Sequence, residues 1–85
     1  MNSFDEVFEK VKSYCLENGK IPEIGIQTWI NPLVPVKFEG TDAIFSVQTD
    51  FQKNIVMTTY DAVLKEAFLN VVGLNVNIVI NVESD

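Results

Sequence analysis

Leu33-Val34-Pro35-Val36-Lys37-Phe38-Glu39-Gly40-Thr41-Asp42-Ala43-Ile44-Phe45-Ser46-Val47-Gln48 is the stretch on which the fold turns. Its hydrophobic period is two. Val34, Val36 and Phe38 alternate with Pro35, Lys37 and Glu39; after a Gly40-Thr41 turn, Ala43, Phe45 and Val47 alternate with Ile44, Ser46 and Gln48. Residues two apart share one face of a strand, so the stretch predicts a β-hairpin with one buried face. Pro35 has no N–H to give to a ladder, which places its strand at a sheet edge or turns its nitrogen away from a partner.

On the amino-terminal side the period changes to that of helices. Phe4, Val7, Phe8, Val11, Tyr14 and Cys15 form one helical stripe. Ser3 and Glu6 have the spacing of a capping box, and Asn18-Gly19 supplies the stop. Pro22, suited to a first helical position, precedes Ile26, Trp29 and Ile30, and Asn31-Pro32 ends that shorter helix. Beyond the hairpin, Thr49-Asp50-Phe51-Gln52 repeats the capping-box pattern. A long helix is predicted after it, with adjacent pairs every fourth position: Ile55/Val56, Thr59/Tyr60, Val63/Leu64, Ala67/Phe68 and Val71/Val72, closed by Gly73. Leu74, Val76, Ile78, Ile80 and Val82 then alternate with Asn75, Asn77, Val79 and Asn81 as a last strand. The expected fold is α+β in the order ααββαβ, one unit over residues 1–85, with helices covering one face of a three-stranded sheet.

The 85 residues contain 6 Lys, no Arg, no His and 12 acidic side chains, for a net charge of −6, and 47% are hydrophobic. A chain of this length holds one core and buries roughly 60% of its unfolded surface. Without histidine, the usual zinc sites, Ser-His-Asp and Cys-His nucleophile systems and a base titrating near neutrality all lack their residue. No Asp-rich EF-hand loop and no phosphate-cradling G-x-x-x-x-G-K-[ST] occurs, so neither a metal nor a nucleotide cofactor is expected. Asp5/Glu9 and Asp61/Lys65/Glu66 read as solvated helix faces, and nothing in the pattern pushes their pKa values apart. Cys15 lies on the apolar stripe and reads as a packed core thiol. A lone cysteine, no leader pattern and no run of ~20 apolar residues point to a cytoplasmic protein that does not enter membranes. The composition points away from an enzyme.

Two aromatic positions call for more than a structural reading. Phe51 follows an N-cap, where residues often stay exposed; it either caps the hairpin core or serves as a contact anchor. Val7 and Phe8 are adjacent on a helix and point about 100° apart, so both cannot aim at the centre of one core, and one of them is a candidate surface patch.

Gln27-Thr28-Trp29-Ile30-Asn31-Pro32-Leu33, a hairpin, and Thr49-Asp50-Phe51 opening a helix that contains Tyr60 together resemble the amino-terminal domain of the bacterial replication initiator DnaA. The resemblance runs from about Phe4 to about Val82. It implies a KH-like fold without a GXXG loop and a non-catalytic interaction hub that self-associates, recruits the replicative helicase and receives small replication regulators. Carried over, it places Thr49, Phe51 and Gln52 on the rim that meets the helicase or regulators, and Val7 and Phe8 in self-association. Trp29 matches a mostly structural tryptophan.

The sequence departs from that pattern in several places. The loop from Gly19 to Glu23 is about two residues longer, and an acidic position used by some members for helicase contact falls on Gly25. Ile55 stands where the third helix commonly has Trp, and Phe8 replaces a usual Trp, which implies weak self-association. The basic residues behind the weak single-strand affinity of some members are largely missing. Two other readings fit the same residues: a free-standing small adaptor or regulator with this fold, and a weak KH-like single-stranded nucleic-acid binder. The four glycines, Gly19, Gly25, Gly40 and Gly73, are never three apart, which argues against the second.

Overall fold

The computed structural model describes residues 3–83. Helix α1 (Ser3–Glu17) is followed by a short α2 (Glu23–Gly25) that widens into a π-helical turn, π1 (Ile26–Ile30). Strands β1 (Val34–Glu39) and β2 (Asp42–Val47) form the hairpin. A second helical stretch runs through α3 (Asp50–Ile55), a π-helical turn π2 (Val56–Tyr60) and α4 (Asp61–Val72) before β3 (Asn77–Val82). The architecture is α+β in the order ααββαβ, as the periodicity predicts.

The sheet order is β1-β2-β3, with β1 antiparallel and β3 parallel to the central β2. Parallel pairing needs a long crossover, which α3, π2 and α4 supply between β2 and β3. Pro35 does lie on an edge strand. The strict alternation expected of β1 fails, however, because the register shifts between Pro35, which pairs with Phe45, and Lys37, which pairs with Ile44. This bulge re-phases the strand, so Pro35 and Phe38 are the partly buried positions while Val34 and Val36 are exposed. In β2, Ala43, Phe45 and Val47 face the core as expected.

Core packing centres on aromatic rings from four elements. Phe45 of β2 meets Phe8 of α1, Phe4 of α1 and Phe68 of α4 at centroid distances of 4.9, 5.3 and 6.4 Å. Phe38 of β1 closes the cluster edge-on to Phe4 at 5.7 Å. Val11, Cys15, Ile21, Ile30, Leu64, Ile78 and Ile80 fill in around them.

Helix ends follow the turn chemistry of the sequence, with departures at the starts of α1 and α2. Helix α1 already includes Ser3, so its N-cap lies outside the described residues; Pro22 is extended (ψ 158°) and α2 starts at Glu23. Gly73 takes φ 83° and donates its N–H to the Leu69 carbonyl, as a left-handed helix terminator should. The predicted stripe of pairs every fourth residue drifts by about 40° per repeat on an α-helix. The π2 turn takes up one residue without the matching rotation, and Val56, Leu64, Ala67 and Phe68 all reach the core.

Candidate functional site

Residues at the junction between β2 and α3 build the most exposed aromatic surface. Thr49, extended at φ −137° and ψ 153°, accepts the Gln52 backbone N–H on its Oγ1 at 3.1 Å. Gln52 reaches back, and its Oε1 accepts the N–H of Gln48 at 3.3 Å, one residue before the partner a capping box would use. Thr49 and Gln52 therefore fix the first turn of α3. Phe51 stands between them and is 66% exposed. It does not cap the hairpin core.

The ring of Phe51 instead meets Trp29 of π1 edge-on, with centroids 5.6 Å apart and planes 66° apart. Trp29 is half-buried and packs against the core. Sequence reasoning placed both residues but missed their pairing. Their separation of twenty-two residues across a hairpin carries no local signal, and π1 changes which way Trp29 points relative to an α-helix. Nearby in sequence, Ile24 of α2 is 69% exposed, and Glu23 and Asp50 make no ion pair among the described residues. The surface is thus apolar at its centre and acidic in its flanking sequence.

Val7 and Phe8 part company. Phe8 is 2% exposed, pressed against Phe45, with the Lys12 ammonium 4.9 Å above its ring. Its ring has no surface for a partner, which corrects the expectation of a direct contact there. Val7 keeps part of its surface and lines an apolar groove with Ser3, Phe4, Phe38, Val72 and Leu74.

Electrostatics elsewhere are local. Four of the six lysines are taken up by acids: Lys12 with Glu9, Lys20 with Glu66, Lys37 with Glu39 and Lys65 with Asp61. Lys10 and Lys53 are left without such a partner among the described residues. The Glu66 carboxylate, which accepts a hydrogen bond from Lys20, raises the Lys20 pKa above its ordinary value. Burial, with Glu66 adding to it, pushes the Cys15 thiol up to about 11. Such a thiol is a poor nucleophile. Among the described residues, no group of three or more His, Cys, Asp or Glu is placed to hold a metal ion. Nor is any helix among the described residues long and apolar enough to cross a membrane.

A family model described as the DnaA N-terminal domain matches residues 5–70, which include most of α1, π1, the hairpin, the Thr49-Phe51-Gln52 rim and most of α4. A search of curated proteins finds none that matches the chain.

Proposed function

We propose that this chain, which belongs to the DnaA N-terminal domain family and so is a module related to replication initiators, works as a non-catalytic docking domain over residues 1–85. Its principal contact is the rim of Thr49, Phe51 and Gln52, with Phe51 inserted into a groove on the replicative helicase or on a small replication regulator. The observation that carries this reading is the exposed Phe51 ring held edge-on to Trp29. A large ring left in water on a capped helix start, ordered by one aromatic neighbour, has the makings of an interface anchor.

Self-association, in this reading, uses the α1 face through Val7, with Phe8 supporting that face from the core. The place of work is the cytoplasm. Nucleic-acid contact is weak or absent, because four lysines already have acidic partners and the chain carries a net charge of −6.

Calorimetric titration of the cognate replicative helicase with wild type and Phe51→Ala tests the proposal. The variant is expected to keep its circular dichroism and melting behaviour while losing at least about 1–2 kcal/mol of binding, the scale of a contact anchor. Unchanged affinity would take Phe51 out of the site.

A further inference from the structure

Gly25 is buried, while the next residue toward the amino terminus, Ile24, is largely exposed. The backbone of Gly25 is ordinary helix, φ −67° and ψ −40°, so nothing in its conformation calls for glycine. Space does. A Cβ at position 25 would lie 3.0 Å from the Tyr60 hydroxyl oxygen and 3.0 Å from Ile21 Cγ2. Tyr60 therefore rests directly on a bare stretch of backbone.

Gly25 is the last residue before π1, the turn that carries Trp29; Tyr60 is the last residue of π2, on the helical stretch whose first turn carries Phe51. Their contact ties together the two segments that carry the ring pair. Phe51 is two-thirds exposed, and its ring pairs with Trp29 alone among the aromatic contacts of the described residues. A displacement of π1 by a few tenths of an ångström is therefore felt first at that ring pair.

We propose that the Tyr60 hydroxyl seated on Gly25 is the stop that sets Trp29 edge-on to Phe51, which makes Gly25 and Tyr60 positioning residues for the contact surface. This rests on the proposed function only for what the ring pair is used for. The ring geometry itself is read without any partner, because Trp29 is the single tryptophan of the chain.

Tryptophan emission and acrylamide quenching of the 85-residue chain provide the test, with Phe51→Ala marking the full effect of losing the neighbouring ring. Gly25→Ala is expected to shift emission to the red and raise quenching by at least half of the Phe51→Ala change, with unaltered far-ultraviolet circular dichroism. Tyr60→Phe, which leaves a gap on Gly25, shifts both readouts the same way. Gly25→Ala/Tyr60→Phe, where the methyl fills that gap, returns at least half of the way to wild type despite the remaining contact with Ile21. Wild-type fluorescence in Gly25→Ala, or a change in it that Tyr60→Phe does not reduce, overturns the proposal. Should Gly25→Ala not fold, Tyr60→Phe alone decides, and wild-type quenching in it is the overturning result. A helicase that ignores Phe51→Ala would refute the docking role while leaving this compensation to stand or fall separately.

Discussion

Phe8 of α1 lies with its ring centroid 4.9 Å from that of Phe45 of β2, the two planes tilted by 57°. The first helix is thus fastened to the central strand by an aromatic pair in the middle of the core. Phe8→Ala removes one side of that pair and opens a cavity, at a cost of about 3–5 kcal/mol. Domains of this kind hold only about 5–15 kcal/mol in total. Urea denaturation should show the midpoint falling accordingly, and any loss of self-association in this variant should track its unfolded fraction. A midpoint within the error of wild type would mean that Phe8 is not the core residue its burial makes it.

Thr49 holds the first turn of α3 through a single side-chain acceptor. Thr49→Ala should therefore cost about 1 kcal/mol, within the range of N-cap losses, while Thr49→Ser keeps the hydroxyl and most of the stability. Since Phe51 sits on that turn, hydrogen exchange of the Gln52 amide should rise in Thr49→Ala and not in Thr49→Ser. Equal exchange in the two variants would show that the cap does not order the rim.

Regular periodicity made most of this fold legible. The alternation through Ile78 and Ile80, the hairpin around Gly40 and the stripe through Phe4, Phe8, Val11 and Cys15 are local patterns, and each appears in the structure, although the last strand begins at Asn77 rather than Leu74. The irregularities did not show. A bulge at Val36 and π turns at Ile26–Ile30 and Val56–Tyr60 each insert one residue into a repeating pattern, and their stability comes from packing across the core rather than from neighbours in sequence. The candidate site was legible by residue and not by geometry. Phe51 stands where a helix start exposes it, whereas its contact with Trp29 and the contact of Tyr60 with Gly25 depend on those same irregular turns.

Cys15 gives a pH dependence whose sign is fixed. Its thiol is raised from 9.0 to about 11 in the folded chain, chiefly by burial and then by Glu66. Unfolded chains release this proton first, so the contribution is fully present below the unfolded value and is lost as pH rises through the window between the two. By linkage a two-unit difference amounts to about 2–3 kcal/mol. Lys20, also raised, begins to lose its own contribution at its ordinary value of 10.5, inside the upper part of that window, and does so in wild type and Cys15→Ala alike. Denaturation curves at several pH values between these limits should fall more steeply for wild type than for Cys15→Ala, which cannot ionise. Parallel pH profiles would show that the thiol is not desolvated.

Lysine pairing bears on strand contact. Counterion release makes electrostatic nucleic-acid binding strongest at low salt. With only Lys10 and Lys53 lacking an acidic partner among the described residues, fluorescence anisotropy of a labelled single-stranded oligonucleotide should stay flat on titration with this chain at low ionic strength. Saturable binding there would restore the single-strand reading and argue against a purely protein-directed surface.

Val7 is the residue of α1 on which self-association can be tested without unfolding the core, because it borders the groove of Phe4, Phe38, Val72 and Leu74 and is only half-buried. Two copies with a net charge of −6 repel one another, and screening shortens that repulsion to a Debye length of about 10 Å at 0.1 M salt. Association through an apolar groove should consequently strengthen as salt is added, opposite to association through ion pairs. Sedimentation velocity across a concentration series is expected to show a rising average sedimentation coefficient for wild type, more so at higher salt. Val7→Glu, which places a charge at the groove and adds to the repulsion, should sediment as a monomer throughout while melting close to wild type. A variant that associates as wild type does would move the self-contact off this face of α1.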